Sequence, residues 1–349
     1  MKNLRPFSDY LMSKLIDWLI ILFIAALILW AAFTLPVFSS KTLNTDLSKD
    51  TEARLKSTVS TLVNTYNPRT YRYETLDFTT DFLRSELAQL GTVEVQAFGD
   101  IENGEKIYKN LILRLGPHTK EIFVIGAHYD TDDESLDAEG NASGIATLLE
   151  LARELSKHQD KLAIGIQLVV YPISKIDTQN LFTSVKTMGS EAHAKYLKRS
   201  GTKVRMMLSL DSVGHFNSKS GSQQYPYSYL HAFYPSKGDY ISVVGGLGEF
   251  QTLIDLKKSF VRSSPLPIVS FNTLNHFGPT GAKDHLHYQE QGYPSLLITD
   301  TAKFRKQGEK KSVVEALDYE KMGLLVKGLY HVVMDNYSEF VDPIHMAER

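Results

Sequence analysis

Trp18 to Phe33 is an unbroken apolar run, and Leu35, Val37 and Phe38 extend it past Thr34 and Pro36. No charged residue falls between Trp18 and Ser40. A helix over residues 18–38 would be roughly 30 Å long, about the thickness of a bilayer's hydrocarbon core. Lys2, Arg5 and Lys14 precede the run, against Asp9 and Asp17. That bias places the N-terminus in the cytoplasm and the rest of the chain outside. The alternatives are a cleaved signal peptide and a buried helix. The run is long for a signal peptide, and no small-x-small cleavage pattern follows it. The expected layout is a cytoplasmic N-terminus (1–17), a transmembrane helix (18–38), a polar stalk (39–60), a globular domain (61–340) and a tail (341–349).

Composition narrows what the globular part can be. Beyond the apolar segment about 300 residues remain, enough for one large domain or two modest ones. At 43% hydrophobic and 22% charged, with a formal net charge of -2, the chain shows no electrostatic footprint for nucleic acid. It has no cysteine, which excludes disulfides and thiolate metal ligands and leaves the redox compartment undecided. Any metal must be held by His and carboxylates.

Along the domain, strand and helix signals alternate. Thr75–Leu90 has helical spacing, and Gly91 stops it. Val93, Val95 and Ala97 alternate like a strand, and Tyr108–Leu115 reads as another. Ile122–Ile125 is a buried-type strand that runs into Gly126-Ala-His-Tyr-Asp130. Ile145, Leu148, Leu149, Ala152 and Leu155 form one helical face. Further strands are expected over 164–171, 204–210, 240–244 and 295–298, and helices over 191–199, 249–260 and 318–334. Loop insertions are expected over 172–188, 215–239 and 261–283. This order predicts an α/β fold with a mixed, mostly parallel sheet flanked by helices.

His128 and Asp130 are two apart at a strand end, so their side chains share one face. A carboxylate beside an imidazole commonly orients a metal-binding His. Asp211 follows a buried strand, and the carboxyl ends of strands are where sites form in open α/β sheets. Asp284-His285 could bring another His to that edge. Such a set suits Zn²⁺. Each element also has a simpler reading, as a local hydrogen bond, a helix cap or a turn.

The motifs together carry a resemblance. Gly126-Ala-His-Tyr-Asp130-Thr, then Asn141-Ala-Ser-Gly144 opening a helix with Leu149-Glu-Leu-Ala-Arg153, resembles the zinc aminopeptidase family of bacterial leucyl aminopeptidase and aminopeptidase Y, whose fold glutaminyl cyclases share. Met188-Gly-Ser190, Leu208-Ser-Leu-Asp211-Ser-Val-Gly214, Asp284-His285 with Gly292-Tyr-Pro294, Ser222-Gln-Gln-Tyr-Pro226, Thr299-Asp-Thr301 and Leu317-Asp-Tyr319 are similar to the family's segments in order, over roughly residues 60–335. The resemblance implies a three-layer sandwich and a site with two zinc ions about 3.5 Å apart that clamp one water. By that resemblance His128 is the first metal His, Asp130 its orienting carboxylate, Asp211 the terminal Asp ligand and His285 the second metal His.

The chain departs from the family at three places. The bridging Asp should precede Asn141, where this chain has Gly140. The Glu-Glu pair falls on Ser174 and Lys175 in one register and on Thr178 and Gln179 in the other. An Asn-Pro-His-Tyr-His stretch expected after Thr301 is replaced by Lys306-Gln-Gly-Glu-Lys310. Asp132, Asp133, Glu134, Asp137, Glu139 and Asp177 are the nearest substitute carboxylates, with Glu139 closest in sequence. His193, His215, His231, His276 and His287 match no ligand position. The expectation is a non-catalytic, periplasmic relative, anchored by a single pass in the inner membrane and binding at most one zinc ion weakly or none. It would bind a peptide or a partner protein. The alternatives are an active mono-zinc hydrolase and a structural subunit of an envelope complex.

Overall fold

The structure is a computed structural model. It describes residues 5–37, 50–70, 74–99, 106–131, 139–174, 187–225, 227–273, 284–301, 304–305 and 312–337. In chain order the helices are α1 (Arg5–Thr34), α2 (Thr51–Asn64), α3 (Thr75–Ala88), α4 (Ala142–Ser156), α5 (Gly189–Arg199), α6 (Phe250–Ser263), α7 (Asp284–Glu290), α8 (Val313–Ala316) and α9 (Tyr319–Tyr337). The strands are β1 (Thr92–Phe98), β2 (Tyr108–Leu115), β3 (Glu121–His128), β4 (Gly165–Tyr171), β5 (Lys203–Leu210), β6 (Ile241–Gly246), β7 (Ile268–Thr273) and β8 (Ser295–Thr299).

The strands form one sheet in the order β1-β2-β4-β3-β5-β8-β6-β7. The inner strands β4, β3, β5 and β8 run parallel, and antiparallel pairings flank them on both sides. Successive side chains along a strand point to opposite faces, and both faces are buried here. Leu111, Leu113, Phe123, Ile125, Leu168 and Val170 pack on one side with α2, α3, α4, α6 and α9. Ile112, Ile122, Val124, Val169 and Tyr171 pack on the other with Ala194 and Leu197 of α5 and Tyr288 of α7. This is the expected three-layer arrangement, and it explains why the inner strands read as continuous apolar runs.

The structure departs from the sequence reading in four places. First, the expected stalk over 39–60 is part of the domain from Thr51 onward. Leu55, Val59 and Leu62 lie one helical turn apart and are fully buried against α4 and α9, while Arg54 pairs with Glu150 at 2.8 Å. Second, β7 lies inside the segment read as a loop insertion. Third, the expected ligand loop at Asp284-His285 is the first turn of α7. Fourth, the N-terminal helix starts earlier, at Arg5, and ends at Thr34 rather than at residue 38. Side chains of α1 are described without a break only over residues 12–28, about 26 Å of helix. Among the described residues no helix is long and apolar enough to cross a membrane. The transmembrane span is therefore not established by the fold and rests on the sequence.

Candidate functional site

His128 closes β3, and β3 lies between β4 and β5. The chain leaving β4 therefore delivers Ser174 on one side of His128, and the chain leaving β5 delivers Asp211 on the other. Asn141 ties the two strand ends that carry the ligand candidates. Its Nδ2 donates to His128 O and Leu210 O, each at 2.9 Å, and its Oδ1 accepts from Ser212 N at 2.9 Å. Ser143 Oγ accepts from Val213 N at 3.0 Å. A side chain at Gly144 would collide with the Asn141 carboxamide. The Asn141-Ala-Ser-Gly144 motif is thus a staple across β3 and β5.

Asp130 lies beside His128. His128 Nδ1 lies 3.0 Å from Asp130 Oδ1, and the other carboxylate oxygen of Asp130 accepts from Ser174 N at 2.9 Å and Ser174 Oγ at 3.0 Å. His128 Nε2 faces Asp211 Oδ1 at 3.6 Å, an ion-pair contact rather than a full hydrogen bond. Burial opposes a cationic imidazole, but the Asp130 hydrogen bond and the Asp211 contact outweigh it and hold the His128 pKa well above its ordinary value. The two carboxylates favour a protonated ring. Ser174 occupies one candidate position for the missing glutamates, and it supports Asp130.

Gly140 has a φ of +39°, and a Cβ there would run into the Thr131 side chain and come within 2.9 Å of Arg69 Nη2. Sequence reasoning missed Arg69. It is 0% exposed, and its guanidinium donates to Leu62 O and Tyr129 O at 2.7 Å, to Glu139 O at 2.8 Å and to Gly140 O at 3.1 Å. Glu139, the nearest substitute carboxylate, is taken up locally. Its Oε1 accepts from Ser143 N at 2.8 Å and its Oε2 from Asn141 N at 3.3 Å, so it serves the orphan N–H groups at the start of α4. Asp132, Asp133, Glu134, Asp137, Lys175, Asp177, Thr178, Gln179, His276 and the 306–310 stretch lie outside the described residues.

His285 is buried in α7. Its neighbour Asp284 is buried as well, within electrostatic reach of His128, Asp130 and Asp211. Burial pushes the Asp284 carboxyl up to about 6, and His128 is close enough to pull it down. His193 and His287 are buried, bonded to Tyr288 Oη and Ser190 Oγ respectively.

The described residues alone do not supply the ligands of a two-zinc centre. Among the described residues no group of three or more His, Asp or Glu could hold a metal ion. One feature favours a single ion. Two zinc ligands bonded at about 2.1 Å in a tetrahedron stand roughly 3.4 Å apart, close to the His128–Asp211 separation of 3.6 Å.

The pattern described as Peptidase family M28 matches residues 110–234, from β2 through the staple and beyond Asp211. An uncharacterized protein of Escherichia coli K12, YfbL, is 32% identical over 287 residues, which is 79% of this chain and 85% of that protein. The chain belongs to peptidase family M28. Solved structures of low identity share the fold. The LapA aminopeptidase of Legionella pneumophila has a TM-score of 0.56 and 16% identity, covering 87% of this chain and 78% of that one. A glutaminyl cyclase of Bacteroides thetaiotaomicron, bound to N-acetylhistamine, has a TM-score of 0.57 and 17% identity over 83% of this chain and 100% of that one. The narrower likeness to leucyl aminopeptidase and aminopeptidase Y stays a resemblance of motifs.

Proposed function

We propose that this M28-family protein is a single-pass, inner-membrane-anchored periplasmic domain that does not hydrolyse peptides by a two-zinc route. It instead binds a peptide or a partner protein at the sheet edge carrying His128 and Asp211. The observation that carries the non-catalytic reading is Gly140. The bridging carboxylate is absent, and the backbone there is turned and packed so that a side chain would strike Thr131. His128 meanwhile sits between Asp130 and Asp211, an arrangement stable with a proton alone. At most one zinc ion would bind, weakly, at His128 and Asp211.

The membrane reading rests on the sequence run and on its packing. Trp18 to Ile24 are all exposed, and seven consecutive residues take in the full circumference of a helix. A helix apolar on every side needs an apolar environment all round.

The test uses the full-length protein in detergent. After dialysis without chelator, elemental analysis should find well under two zinc per chain. A panel of aminoacyl-anilides with added zinc, manganese or cobalt should give no chelator-sensitive hydrolysis. Two retained ions, or hydrolysis that vanishes in His128→Ala, would overturn the non-catalytic reading. One stoichiometric ion together with hydrolysis would establish the mono-zinc alternative, which the His128–Asp211 spacing favours.

A further inference from the structure

The end of α1 is clasped by the domain. Lys257 of α6 is 3% exposed, and its Nζ donates to Thr34 O at 2.9 Å, to Leu35 O at 2.7 Å and to Ser270 Oγ at 3.2 Å. Ser270 Oγ in turn donates to Thr34 O at 2.6 Å. The last carbonyls of a helix lack intrahelical partners and form its negative end, so a buried ammonium suits them. Leu35 then enters the main core. The helix therefore meets the domain at a defined place, the β7 edge of the sheet.

That place lies level with the candidate site. Ser270 pairs with Val243, Val243 with Ile298, and Ile298 with Leu210, the residue before Asp211. The distance across this row is three strand spacings, roughly 14 Å. The segment 215–239, which leaves the Asp211 strand end, is unusually aromatic. Six of its 25 residues (Phe216, Tyr225, Tyr227, Tyr229, Phe233 and Tyr234) are Phe or Tyr, against 11% of the whole chain.

Two of these rings fasten the segment to the strand that receives α1. Tyr234 stacks on Phe271 at 4.3 Å and donates to Ser270 O at 3.1 Å, and Tyr225 lies 6.2 Å from Phe271. Pro226 lies outside the described residues. Tyr227 and Tyr229 stack on each other at 5.7 Å and face outward, 49% and 58% exposed. Lys219 and Lys237 of the same segment are exposed as well. Paired tyrosines with an apolar face and a polar tip, flanked by lysines and continuous with the end of an apolar helix, have the chemistry of a membrane–water interface.

We propose that this segment rests on the lipid headgroup layer of the bilayer that α1 enters, with Tyr227 and Tyr229 at the interface. The sheet edge bearing His128 and Asp211 then opens beside the membrane surface. The proposal rests on reading α1 as the span, and the test separates the two. Because the chain has no cysteine, single cysteines can be introduced and labelled cleanly. Full-length Tyr229→Cys, Ile20→Cys and Tyr196→Cys variants each receive an environment-sensitive fluorophore. They are then reconstituted in phosphatidylcholine–phosphatidylglycerol vesicles containing nitroxide lipids labelled at the headgroup or along the acyl chain.

Tyr196 lies on α5, which packs toward β1 and β2 at the opposite edge of the sheet. The label at 229 should lose emission roughly twofold or more to headgroup nitroxides, as an interfacial ring would. The label at 20 should respond to acyl-chain nitroxides and the label at 196 to neither. Quenching at 20 but not at 229 overturns the proposal and leaves the span standing. No quenching at 20 overturns the span and the proposal with it. Equal quenching at 229 and 196 also overturns it, because the domain then has no preferred face. Tyr227→Cys gives a second position should the label at 229 perturb folding.

Discussion

At position 140 the backbone turns through a positive φ, with Thr131 on one side and the Arg69 guanidinium on the other. Restoring the family's Asp there is expected to strain the protein before it adds a ligand. Gly140→Asp should lower stability by about 1–3 kcal/mol and leave zinc retention unchanged. Thermal unfolding beside elemental analysis reads both, and a variant of unchanged midpoint that gains zinc would show that the loop accommodates the carboxylate. That Gly140 stands where the resemblance expects an Asp was legible in the sequence because Asn141-Ala-Ser-Gly144 sets the register. Arg69 was not legible. Its partners are four backbone carbonyls from three separate stretches of chain, and no residue pattern announces a carbonyl. The same holds for Ser174, whose partner Asp130 is 44 positions away.

The two helices that begin before the expected domain are each tied to it by buried polar contacts. In α2, Arg54 meets the buried carboxylate of Glu150 while Leu55, Val59 and Leu62 pack inward. That i, i+4, i+7 stripe is visible in the sequence, but it is narrow and set among Ser, Thr and Lys, so it reads equally well as a solvated stalk until α4 and α9 cover it. For α1 the anchor is Lys257. Lys257→Met should lower the unfolding midpoint of the full chain in detergent, at a cost of about 1–3 kcal/mol, because the Leu35 carbonyl loses this donor and the Thr34 carbonyl loses one of two. Ser270→Ala removes a second donor to the same Thr34 oxygen, so only the double variant leaves that carbonyl without either donor and it should lose more than the sum of the singles. Strict additivity would mean that the two donors do not share one junction.

Across the whole molecule, acid and base set stability through buried groups, and Asp300 is one whose sign is clear. It is fully buried beside β5, accepts from His215 N at 2.6 Å, and burial pushes its carboxyl up to about 6. Between its unfolded value and about 6 the native state holds the proton more tightly than the unfolded chain. Stability from this group is therefore full below about pH 4 and is lost as pH rises to about 6, by about 3 kcal/mol at most. Asp300→Asn keeps an acceptor for His215 and removes the titration. Subtracting its pH–stability profile from that of the parent protein should leave a decline confined to that window, and a flat difference would refute the assignment.

The sequence by itself determined the strand-helix order, the doubly covered sheet, the His128–Asp130 pairing and the presence of Gly140 directly before Asn141. These depend on side-chain period and spacing, which are local. Only the tertiary structure decided that Asn141 staples β3 to β5, that Arg69 and Glu139 are committed to backbone groups, and that Lys257 clasps the end of α1. Each of these is a buried polar group satisfied by a backbone atom or charge distant in the chain. Such partners have no position until the sheet has formed.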